Sequence, residues 1–135
     1  MKILIVAGLP DFIPNESFDK YIGVDRGSLF LVEKGYQLAL AIGDFDSVSK
    51  TELDKISVST DRLIKLPAEK DLTDLEAALD FILEHFADAE IVIAGALGGR
   101  LDHLLTNAYL ATRPKYQALA PKMTLVDQQN LVTYV

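Results

Sequence analysis

Residues 94–107 read AGALGGRLDHLLTN, and the fold follows from how this stretch is parsed. It begins at the end of an apolar run, Ile91-Val92-Ile93-Ala94, which reads as a buried strand. The run breaks at Gly95-Ala96-Leu97-Gly98-Gly99, and Leu101, Leu104, Leu105 and Ala108 then return at helical spacing. A strand, a glycine turn and a helix in that order suit an anion. Glycines let the backbone approach a phosphate closely, and the first N–H groups of a helix have no intrahelical partner. Arg100 and Asp102 sharpen the reading. A guanidinium forks onto phosphate oxygens, and a carboxylate at the same end of the strand offers a hard oxygen to a metal. The plainer reading is a tight connection with a helix-capping Asp and a solvated Arg.

Outward from this stretch the same alternation repeats. Residues 2–7 form a continuous apolar run without polar alternation, as a central parallel strand requires, and Gly8-Leu9-Pro10 closes it. Further strands are predicted at residues 21–24, 38–42, 62–66 and 122–126, and helices at 28–34, 48–56 and 100–112. The clearest helix follows residue 72. Thr73 with Glu76 three residues on makes a capping box, and Leu75, Leu79, Ile82, Leu83 and Phe86 form one apolar stripe. Strands alternating with helices across short loops predict an α/β protein: an open, mainly parallel, Rossmann-like sheet of about six strands with helices on both faces. Residues 1–125 read as one domain. After a turn at 127–130, residues 131–135 begin another β-like run, either the start of a truncated C-terminal β domain or a terminal edge strand.

Composition narrows the function. With 135 residues, half of them hydrophobic, the chain can bury a core of one-domain size. The absence of cysteine excludes disulfides and thiolate metal sites, and two histidines, His85 and His103, are too few for a histidine-rich centre. A net charge of −7 with no Lys/Arg cluster argues against nucleic-acid binding. No stretch reads as a signal peptide or membrane span, so a soluble cytoplasmic protein is expected.

Ligands of open parallel sheets bind beyond the carboxyl ends of the strands. Four loops at that edge carry acids: Asp25, the pair Asp44 and Asp46, the pair Asp71 and Asp74, and Asp102. Each alone also reads as an ordinary turn or helix-start residue, and Ser47 as a helix cap. Together they are harder to dismiss, because two carboxylates 4 Å apart repel by about 4 kcal/mol at an effective dielectric near 20. Hard oxygen donors without His or Cys point to Mg²⁺ shared with substrate phosphates. Lys70, Arg100 and the glycine turn supply the phosphate contacts, and no G-x-x-x-x-G-K-[ST] loop occurs.

Gly43-Asp44-Phe45-Asp46-Ser47, Lys70-Asp71-Leu72-Thr73-Asp74 and the run from Gly95 to His103 resemble, in order and spacing, the motifs of the thiamine pyrophosphokinase family. Asp25-Arg26-Gly27 resembles that family's weaker first motif, and the likeness spans about the first 125 residues. It implies transfer of a diphosphoryl group from ATP to the hydroxyl of thiamine, with release of AMP. By the same resemblance Asp44, Asp46, Asp71, Asp74 and Asp102 hold Mg²⁺ and the polyphosphate. Asp25, Ser47, Lys70, Thr73, Gly98, Gly99 and Arg100 contact the nucleotide. Arg100 steadies the transferred group, and Asp71 or Asp102 takes the hydroxyl proton. The family continues into a β-sandwich domain that helps bind thiamine, typically across a homodimer. Two rival classes are a nucleotide-sugar glycosyltransferase, from the D-x-D at Asp44 and Asp46, and a non-enzymatic Mg²⁺–nucleotide module. The first leaves residues 70–74 and the glycine turn unexplained. A receiver-like form of the second wants an acid pair on the first strand, which Gly8-Leu9-Pro10 lacks.

Overall fold

A computed structural model describes residues 1–8, 10, 12–67, 74–95, 112–127 and 131–134. In chain order the elements are β1 (Lys2–Ala7), β2 (Lys20–Val24), α1 (Arg26–Glu33), β3 (Leu40–Gly43), α2 (Lys50–Val58), β4 (Leu63–Lys65), α3 (Asp74–His85), β5 (Glu90–Ala94), β6 (Met123–Val126) and β7 (Leu131–Thr133). They build a seven-stranded sheet ordered β4-β3-β2-β1-β5-β6-β7. Every pairing is parallel except that of β6 with β7. The sheet is therefore mixed and has seven strands rather than about six. The difference is the edge strand at residues 131–133, whose Leu131 and Val132 pair with Val126 and Leu125.

The apolar run of β1 explains its central place. Ile3 and Ile5 enter one core with Leu75, Ala78, Leu79 and Ile82 of α3, while Leu4 and Val6 enter a second with Leu29 and Leu31 of α1 and Ile56 of α2. Successive side chains of a strand point to opposite faces, so a strand covered on both sides must be apolar at every position. All four of these β1 residues are fully buried. Helices thus cover both faces of the sheet, with α1 and α2 on one and α3 on the other.

The order of strands creates a switch point. The chain runs from β1 outward through β2, β3 and β4, then returns across the sheet by α3 to place β5 on the other side of β1. Connections leave β1 and β5 in opposite directions, the kind of junction at which open α/β sheets form a ligand crevice. Gly95 ends β5 there with φ 88°, and a Cβ on it would stand 1.9 Å from the Ala7 carbonyl oxygen. Only glycine meets both demands, so the strand leaves the sheet hard against β1.

Local starts and stops mostly match the sequence reading. Helix α2 begins two residues later than expected because Ser49, not Ser47, is its cap. The Ser49 hydroxyl accepts from the Glu52 N–H at 3.1 Å, and the Glu52 carboxylate accepts from the Ser49 N–H at 2.8 Å. Residues 100–111 of the expected helix over 100–112, and the Thr73 cap, fall outside the described residues.

Candidate active site

Beyond the carboxyl ends of β2 and β3, three carboxyl groups converge. Asp25 follows β2, Asp44 follows β3 and Asp74 is the first residue of α3; one oxygen of each lies within 4.8 Å of the others. Adjacent parallel strands bring the first two together, and the third stands at the start of α3, the helix that follows β4 and crosses back over the sheet.

The turn after β2 is built for this task. Asp25 has φ 51° and ψ −123°, a conformation that an L-residue adopts only under strain, and such strain collects at functional sites. Its backbone N–H donates to the Ile42 carbonyl at 2.9 Å, and its side-chain Oδ1 accepts from the Phe45 N–H at 3.0 Å. Gly43 makes room for that carboxylate, since a Cβ there would stand 2.2 Å from Asp25 Oδ1. Next to it, Arg26 Nη1 donates to the Ser47 carbonyl at 2.8 Å. Asp25 and Arg26 therefore clamp the loop over 43–47 from both sides. Within that loop the Asp46 N–H donates to Asp44 Oδ1 at 3.0 Å, which orients Asp44.

Electrostatics follow from the crowding. Burial, a hydrogen bond with Asp74 and the charges of Asp74 and Asp44 push the Asp25 carboxyl up to about 7, while the Phe45 N–H pulls the other way. Near neutrality the cluster thus tends to keep a proton on Asp25 in place of a third negative charge. A divalent cation removes the need for that proton, and an all-oxygen donor set suits Mg²⁺. The residues fit the ion.

Of the residues expected from sequence, Asp25, Asp44 and Asp74 meet in this group. Asp46 and Ser47 occupy the same loop, but both are exposed and neither side chain joins the three converging groups. Lys70, Asp71, Thr73, Gly98, Gly99, Arg100 and Asp102 lie outside the described residues. The clamping role of Arg26 was not legible in the sequence, where only its place beside Asp25 marked it.

A mostly parallel α/β sheet with acids gathered beyond its strand ends is the layout in which such proteins hold phosphate ligands and their metal ions. Residues 15–123 match the family described as thiamin pyrophosphokinase, catalytic domain, and the chain belongs to that family. It is similar to the thiamine pyrophosphokinase of Bacillus subtilis (strain 168), 40% identical over 134 residues that take in 95% of this chain and 61% of the relative. The crystal structure of a thiamin pyrophosphokinase family protein from Enterococcus faecalis superposes with a TM-score of 0.92 at 42% identity, covering 100% of this chain and 65% of that one. Yeast thiamin pyrophosphokinase shares the fold, with a TM-score of 0.75 at 15% identity over 96% of this chain and 59% of that one. The chain spans under two thirds of the length of these relatives.

Proposed function

We propose that this chain carries the nucleotide- and metal-holding part of a thiamine diphosphokinase, which moves a diphosphoryl group from ATP to the hydroxyl of thiamine. The observation that carries the reading is the convergence of Asp25, Asp44 and Asp74 in a member of this family. In this reading residues 1–125 form the catalytic domain, with a Rossmann-like three-layer arrangement, and residues 126–135 either begin a C-terminal β domain or close the sheet as an edge strand. The enzyme is a cytoplasmic homodimer.

Asp44 and Asp74, with Asp71 and Asp102, would hold Mg²⁺, and Asp25 joins them, while Asp46 orients Asp44 through its backbone N–H. The bound ion supplies neutralisation of the polyphosphate charge. Ser47, Lys70, Thr73, Gly98, Gly99 and Arg100 position the nucleotide at the crevice beside β1. The thiamine oxygen attacks the β-phosphorus, the bond to the oxygen bridging α and β breaks, and AMP leaves. Asp71 or Asp102 accepts the hydroxyl proton, and Arg100 steadies the charge on the transferred group. Little covalent work falls to the protein; positioning and fixed charges carry the reaction.

The test is ³¹P NMR with ATP, Mg²⁺ and thiamine, on the 135-residue chain and on a form extended C-terminally to the length of its relatives. AMP and thiamine diphosphate in equal amounts are expected from the extended form, and very slow turnover or none from residues 1–135 alone. Production of ADP, or UDP release from a nucleotide sugar, overturns the reading.

A further inference from the structure

Beside the apolar stripe of α3, where Tyr116 joins the core formed by Leu75, Ala78, Leu79 and Ile82, lies a polar network that the reaction does not use. Glu76, in the first turn, is only 3% exposed. Its carboxylate accepts from Arg113 Nη1 at 2.8 Å, with Lys115 Nζ at 4.0 Å. One helical turn on, Asp80 accepts from the Tyr116 hydroxyl at 2.8 Å and pairs with Lys115 at 3.5 Å. The same hydroxyl lies 3.2 Å from the Glu76 carbonyl oxygen, and the Tyr116 ring is wholly buried. Three residues of one short segment, Arg113, Lys115 and Tyr116, thus grip α3 at two successive turns.

A stripe of Leu, Ala and Ile fixes which face of a helix is buried but tolerates small slides along the axis. Directed charge-assisted bonds do not. Asp74 stands two residues before Glu76, at the very start of α3, where a slide would carry its carboxylate away from Asp25 and Asp44. Metal ligands must be held to within about 0.5 Å, by outer contacts that lock them. We infer that Glu76, gripped by Arg113 and Tyr116, is a positioning residue that sets the Asp74 carboxylate in the metal site. This inference rests on the reading of Asp25, Asp44 and Asp74 as that site.

Charge alone makes the opposite forecast, which gives the test its edge. Loss of the Arg113 cation should tighten cation binding if only long-range electrostatics matter, and weaken it if position matters. Mn²⁺ affinity of the 135-residue chain is read by EPR without nucleotide, beside the melting temperature in EDTA. Arg113→Gln should weaken Mn²⁺ binding on the order of tenfold. Arg113→Lys should restore most of it. Tyr116→Phe, which changes no charge and keeps the packed ring, should weaken binding to a smaller extent and serves if Arg113→Gln does not fold. Unchanged or tighter Mn²⁺ binding in Arg113→Gln or Tyr116→Phe, whatever happens to melting, overturns the inference while the metal site stands. No saturable Mn²⁺ binding by the parent chain overturns the metal reading and the inference with it.

Discussion

Asp25→Asn isolates the cost of crowding three carboxyl groups at one point. The amide keeps the oxygen that accepts from the Phe45 N–H and removes the charge. In the folded chain this carboxyl holds its proton up to about 7, against an ordinary value of 3.8. Below about pH 4 it is protonated whether the chain is folded or not, and the site costs nothing. Between about 4 and 7 the folded state binds more protons than the unfolded one, so stability falls as pH rises; above 7 the loss is complete. At about 1.4 kcal/mol per pH unit the full gap corresponds to about 4 kcal/mol. Solvent screening at a half-buried group brings it to about 2 kcal/mol. Metal-free Asp25→Asn should therefore melt higher than the parent at pH 8, by something on the order of 5 °C, and the two should converge near pH 4. Scanning calorimetry in EDTA across that range is the assay. A variant that melts at or below the parent at pH 8 would refute the reasoning, because Asp25 would then be held in place at no electrostatic cost.

Ligands of the native state stabilise it by mass action, so Mg²⁺ with a non-hydrolysable ATP analogue at a hundredfold excess over Kd should add about 2.7 kcal/mol. EDTA should abolish the gain in a thermal-shift measurement, and an equal gain with EDTA present would contradict metal-bridged binding. The Ser28 hydroxyl is fully buried and finds no hydrogen-bond partner among the described residues, so Ser28→Ala should raise stability by about 1 kcal/mol in urea unfolding. Gly95→Ala forces a Cβ against the Ala7 carbonyl at a positive φ, and should lower stability by several kcal/mol in the same assay. A change under about 0.5 kcal/mol would show that the end of β5 is not held against β1.

Much of this fold is legible in particular residues. The unbroken apolar runs of β1 and β5 mark strands covered on both sides, and the stripe from Leu75 to Ile82 marks α3, because burial on a sheet or helix face writes its period into the sequence. The cap of α2 is equally readable as Ser49-Lys50-Thr51-Glu52, a capping box two residues beyond Ser47. What spacing does not carry is which loops become neighbours. Asp25 reads as a nucleotide contact in the sequence, and its meeting with Asp44 and Asp74 depends on β2 pairing with β3 and on α3 crossing back over the sheet. The grip of Arg113 and Tyr116 on α3 is hidden for the same reason, since its partners lie 36 to 40 residues apart. The strand at 131–133 is short and half exposed, so its place at the edge of the sheet shows only through its pairing with β6.

The most direct test of the site is a crystal of this chain grown with Mn²⁺ and a non-hydrolysable ATP analogue, with data collected at the manganese edge. The account predicts an anomalous peak within coordination distance of the Asp25, Asp44 and Asp74 carboxylates, with the polyphosphate reaching it from the crevice beside β1. A nucleotide bound with manganese elsewhere, or with no metal between these three side chains, would contradict it.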